Sequence, residues 1–81
     1  MHYEVDVTIP RALDEPTGRF LEAVCGSANR VHRFRGDSAG IHLTVAVSGM
    51  CRDDAIRSAV REVAAIFPGR TDATYGEPLE T

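Results

Sequence analysis

Ile41-His42-Leu43-Thr44-Val45-Ala46-Val47-Ser48 alternates apolar and polar residues with a period of two, the pattern of a strand that buries one face. Ile41, Leu43, Val45 and Val47 share the apolar face, and His42, Thr44 and Ala46 take the other. Downstream, Ile56, Ala59, Val60, Val63 and Phe67 recur at helical spacing and predict an amphipathic helix over 52–67. Asp53 and Asp54 favour its N-terminus through the helix dipole, and Pro68-Gly69 ends it. The same strand–helix half stands earlier in the chain. Tyr3-Glu4-Val5-Asp6-Val7-Thr8-Ile9 alternates in the same way, and a helical stretch follows through Phe20, Leu21 and Val24.

The connections complete the topology. The first strand, 2–9, stops at Pro10. Asp14 is placed to cap a helix, with Glu15 and Pro16 suited to its first turn; Gly18 weakens that helix and Gly26 is its expected terminator. A second strand over 29–35 enters the hairpin Gly36-Asp37-Ser38-Ala39-Gly40. If Gly36 pairs with Ile41 around a four-residue turn, Phe34 lies beside Leu43 and His32 beside Val45, both toward the helices. Arg33 and Arg35 then lie beside Thr44 and His42 on the other face. A slip of one residue would bury both arginines, which desolvation forbids. A short last strand is expected near Thr71–Tyr75. The order β-α-β-β-α-β with right-handed crossovers puts the first and third strands side by side in the centre. The expected fold is therefore an α+β, ferredoxin-like sandwich: a four-stranded antiparallel sheet with two helices on one face. One domain covers residues 1–76, and 77–81 is expected as a loose tail. The open face of the sheet should carry Glu4, Asp6, Arg33, Arg35, His42, Thr44 and Ala46.

Composition narrows the function classes. With 81 residues the chain is near the lower limit for a core built by one sheet and two helices, so covering the open face by self-association would add stability. A hydrophobic content of 43% argues against disorder. A net charge of −3 disfavours general binding to nucleic acid or anionic membranes. All nine basic residues are arginines spread along the chain, which fits codon bias better than a concentrated anion site. No run approaches a membrane span and no basic, apolar leader opens the chain, so a cytoplasmic protein is expected. Cys25 and Cys51 fall at opposite ends of the helical layer, beyond the ~7 Å Cα separation that a disulfide tolerates, and are expected as free thiols.

Gly49-Met50-Cys51-Arg52-Asp53-Asp54 resembles the loop of heavy-metal-associated domains, where Gly-Met-x-Cys-x-x-Cys grips a soft ion. Here one residue between Met and Cys is missing, Asp54 replaces the second thiol, and the loop follows the third strand. No metal or cofactor is expected, and a reactive Cys51 at a helix N-terminus is a minor alternative to a small loop residue. Three histidines on separate strands have no ligand spacing. His42 and Asp6 on neighbouring strands offer an acid–base pair for a small enzyme completed between subunits, but a solvated polar pair is the simpler account, with no nucleophile in view. Tyr3 and Phe34 face the core and only Tyr75 is left as an outward ring, so base stacking on the sheet is not expected. Arg35-Gly36-Asp37 is ordinary hairpin chemistry. What remains is the charged face, with Glu4, Asp6, Arg33, Arg35 and His42 as candidate ligand or interface residues. The expected function is a small non-catalytic binding or regulatory module. It self-associates as a homo-oligomer through the open sheet, with a small molecule or partner protein at the interface. Glu4 and Asp6 of one copy would meet Arg33 and Arg35 of another across a two-fold.

Asp14-Glu15-Pro16-Thr17-Gly18-Arg19-Phe20-Leu21-Glu22-Ala23-Val24, followed by Asn29-Arg30-Val31, resembles the first loop and helix of ACT domains. There an Asp-x-Pro-Gly-type loop opens the helix and an Asn-Ile/Val pair begins the next strand. Here Thr17 stands between Pro16 and Gly18. The resemblance implies a β-α-β-β-α-β regulatory module binding amino acids at paired interfaces, with a ligand site near Asp14–Gly18.

Overall fold

A computed structural model describes residues 1–27, 30–68 and 72–81. Along the chain these form β1 (His2–Ile9), α1 (Glu15–Gly26), β2 (Val31–Asp37), β3 (Gly40–Ser48), α2 (Arg52–Ile66), β4 (Thr74–Tyr75) and β5 (Leu79–Glu80). Asn29, Gly69 and Thr71, which entered the expectations for the second strand, the helix stop and the last strand, lie outside the described residues. The sheet runs β2-β3-β1-β4, with β5 also on β1, and every pairing is antiparallel.

The alternation in β1 and β3 is what builds the core. Their register sets Tyr3 opposite Val47, Val5 opposite Val45, Val7 opposite Leu43 and Ile9 opposite Ile41. All eight side chains are buried, and Leu21 of α1 and Ala55, Ala59 and Val63 of α2 close over them in one cluster. Removing this much apolar surface from water is the main stabilising term. Ala55, Ala59 and Val63 are four residues apart, so they form one ridge, and the two alanines let α2 approach the sheet closely. That ridge corrects the expected stripe. Val60 is 41% exposed and Ile56 only half-buried, because the helix is rotated to aim the alanines at the sheet. Phe20 is likewise 47% exposed, with its ring edge-on to Phe67 at 6.4 Å.

Asp14 caps α1 by accepting a hydrogen bond from the Thr17 amide at 2.9 Å, and Pro16 sits in the first turn. Gly26 is the last residue of α1, as expected, but it does not take a left-handed conformation, since Gly40 is the one described residue with positive φ. Ser27 closes the helix instead, donating its amide and its hydroxyl to the Val24 carbonyl.

Three further expectations change. The β2–β3 pairing continues past Gly36↔Ile41 to Asp37↔Gly40, so the turn is two residues, not four. A bulge between Val31 and Arg33 sets Val31 opposite Val45 and turns His32 out of the core, where it approaches Glu4 at 4.0 Å. The last five residues are not loose: Tyr3 pairs with Glu80, Glu4 with Leu79, and the Thr81 amide donates to the His2 carbonyl at 2.9 Å. β4 and β5 together pair along the outer edge of β1, so that side of the sheet ends in two very short strands.

Candidate functional site

The open face is organised by register. Because β1, β3 and β2 pair in order, Asp6, Thr44 and Arg33 form one cross-strand row, and Thr8, His42 and Arg35 form the next. In the first row Arg33 Nε donates to Thr44 Oγ1 at 3.2 Å, and the Thr44 hydroxyl donates to Asp6 Oδ1 at 3.2 Å. Thr44 is 8% exposed, so this relay satisfies a hydroxyl that water barely reaches. Arg33 also leans one terminal nitrogen toward Glu4 at 3.7 Å.

The second row corrects the expected acid–base pair. His42 does not pair with Asp6. Its Nδ1 shares a hydrogen bond with Thr8 Oγ1 at 3.0 Å, and its Nε2 with Asp37 Oδ1 at 2.8 Å. Asp37 also accepts from Arg35 Nη1 at 2.8 Å and from the Ala39 amide at 2.9 Å. The carboxylate thereby ties the turn to the sheet. The His42 hydrogen bond, followed by those from the Ala39 amide and Arg35, holds its carboxyl down at about 2. Both ring nitrogens of His42 are engaged, so the imidazole is held between the Thr8 hydroxyl and the Asp37 carboxylate.

The Asp37 arrangement has a pH consequence. A depressed carboxyl contributes stability that is complete above its ordinary value of about 3.9 and is lost as pH falls through about 2. A carboxyl-carbon NMR titration is expected to place the Asp37 midpoint near 2, and Asp37→Asn should flatten the acid limb of the stability curve. A midpoint at the ordinary carboxylate value would remove the three-way clamp.

Asp6, Arg33, Phe34, Arg35, His42 and Thr44 line a cavity of about 330 Å³ between the two rows. Four of the five residues expected as ligand or interface groups therefore meet at one place, and the fifth, Glu4, stands at its rim through Arg33. Sequence reasoning missed Asp37 and Thr8. The signal for Asp37 was present in the alternation, which puts it two residues after Arg35 on the same face; the two-residue turn then sets it diagonal to His42.

The other expected sites separate from this one. Cys25 is half-buried, and desolvation pushes its thiol up; Cys51 is exposed; both are free. Cys51 lines a larger, open depression of about 700 Å³ with Met1, Tyr3 and Met50. Among the described residues no three His, Cys, Asp or Glu side chains gather as metal ligands. Tyr75 is half-buried against the core, not an outward ring. No helix of the described residues is long and apolar enough to cross a membrane. In comparison with known proteins, no protein-family model matches the chain, and no curated protein or solved structure matches it.

Proposed function

We propose that this protein is a small, non-catalytic binding or regulatory module of the cytoplasm that self-associates through the open face of its sheet. The observation that carries the proposal is the arrangement of charge on that face. Glu4 and Asp6 form an acidic column on β1, Arg33 and Arg35 a basic column on β2, and β3 runs between them. A two-fold axis parallel to β3 brings each acidic column over the partner's basic column, with Asp6 level with Arg33 because they share a row. Under the same proposal the fold is a ferredoxin-like sandwich, supported by the strand order and by one core shared between both helices and the sheet. The ACT-like first loop belongs to the proposal as a resemblance, and in this chain Asp14 and Thr17 are engaged in capping α1.

Paired charge reversal tests the reading. Arg33→Glu/Arg35→Glu makes the face acidic throughout, and Glu4→Arg/Asp6→Arg makes it basic. By sedimentation velocity, the wild type is expected as a dimer and each variant alone as a monomer. An equimolar mixture should restore the dimer, since both columns then meet opposite charge. A wild-type monomer, or variants that dimerise unaided, would count against it. Raised salt should weaken the wild-type dimer as screening removes the exposed part of the attraction.

A further inference from the structure

We infer that the cavity between the two cross-strand rows binds a small zwitterion, its carboxylate on Arg33 and Arg35 and its ammonium on Asp6. This rests on the reading that the open face is the working surface, and because the ligand uses the same Asp6, Arg33 and Arg35 groups as the dimer, it binds in competition with self-association. Of the three carboxylates around the cavity, Glu4 faces Arg33 and His32, and Asp37 faces Arg35 and His42. Asp6 has no cation among the described residues; its hydrogen-bond partner is the uncharged Thr44 hydroxyl. Across the cavity, Arg33 and Arg35 are two-thirds exposed. Each gives one hydrogen bond to protein, Arg33 through Nε and Arg35 through Nη1, and retains further N–H groups with no protein hydrogen bond among the described residues. Unspent donors therefore stand on one wall and an uncompensated acceptor on the other.

A bare anion does not fit this arrangement. Three carboxylates against two guanidiniums leave no net positive charge, and an anion on the arginines would lie beside Asp6. A molecule carrying both charges meets both walls and cancels its own field. The Arg33–Glu4 approach of 3.7 Å is long and exposed, the kind of ion pair that exchanges readily for a better-placed carboxylate. A cavity of about 330 Å³ has the volume of roughly ten water molecules, enough for a molecule of about that many heavy atoms.

The test is an NMR titration of isotope-labelled protein with β-alanine and 4-aminobutyrate, set against acetate and methylammonium, the two halves alone. The expected result is that at least one zwitterion shifts the Arg33 and Arg35 Nε–H signals and the Asp6 carboxyl carbon together. It should bind about tenfold tighter than either half. Asp6→Asn, which keeps the Thr44 contact, should weaken the zwitterion about tenfold while acetate, freed of the neighbouring negative charge, binds no more weakly than before. Arg33→Gln/Arg35→Gln should remove both, with circular dichroism checking that each variant folds. Acetate binding as tightly as the zwitterions, or no shift at these side chains with any probe, would overturn the inference. Self-association is read separately by sedimentation. A monomer that binds the zwitterion removes the dimer and keeps the ligand, and a dimer without these shifts does the reverse.

Discussion

Replacing Gly40 with alanine is expected to be among the most damaging single changes in this chain. Gly40 opens β3 directly after the Ser38-Ala39 turn, with φ +132°. Ser38 and Ala39 both keep negative φ, so the reversal places its one positive-φ step on the glycine. An added Cβ would meet the Ile9 carbonyl oxygen at 2.1 Å and the Pro10 Cα at 3.0 Å. These are backbone atoms of the central strand and its stop, which cannot swing aside as a flexible side chain would. Backbone strain and overpacking together cost about 2–6 kcal/mol. A domain of this size has a total stability of about 4–12 kcal/mol. The expected fall in Tm is at least about 8 °C, read by thermal circular dichroism. A variant melting within about 3 °C of the wild type would show that the turn can re-form with negative φ.

Leu43→Ala is expected to cost about 2–5 kcal/mol in a urea unfolding experiment. Leu43 is fully buried at the middle of β3, with Val7 on one side and Phe34 on the other. Its neighbours belong to two paired strands and are held by their ladders, so they cannot collapse into the space left behind. Val60→Ala is the matched control. With 41% of its surface exposed, Val60 should change stability by less than about 0.5 kcal/mol. If the two variants lost equal stability, the rotation of α2 described above would be wrong, and Val60 would face the sheet as its spacing alone predicts.

Those two positions show where the sequence was legible and where it was not. Leu43 was readable because a period of two admits only two faces, and putting His42 and Thr44 inside would bury polar groups. The open face was readable for the same reason, so Asp6, Arg33, Arg35 and His42 were expected together and line one cavity. Val60 misled because a helical period leaves an arc wide enough for several rotations. The choice among them falls to whichever residues approach the sheet most closely, here Ala55 and Ala59. His32 misled because a bulge adds a residue without changing the residue types around it. The loose tail misled because two-residue strands have no periodicity to detect, and their hydrogen bonds depend on the partner β1.

The candidate site divides in the same way. Which residues lie on the face follows from alternation, a local property of the backbone. Which of them touch follows from register, turn length and side-chain reach, and these are set between strands distant in sequence. Hence His42 was correctly placed beside β1 but assigned to Asp6, whereas the two-residue turn delivers Asp37 to it at 2.8 Å and leaves Asp6 to Thr44. By itself the sequence determined the strand–helix halves, the buried ladder of β1 and β3 and the polarity of the exposed face, because burial and alternation are written residue by residue. The tertiary structure alone decided the rotation of α2, the outward turn of His32, the closure of the β1 edge by the C-terminus and the pairing of charges around the cavity. Each of these balances contacts between segments far apart in the chain.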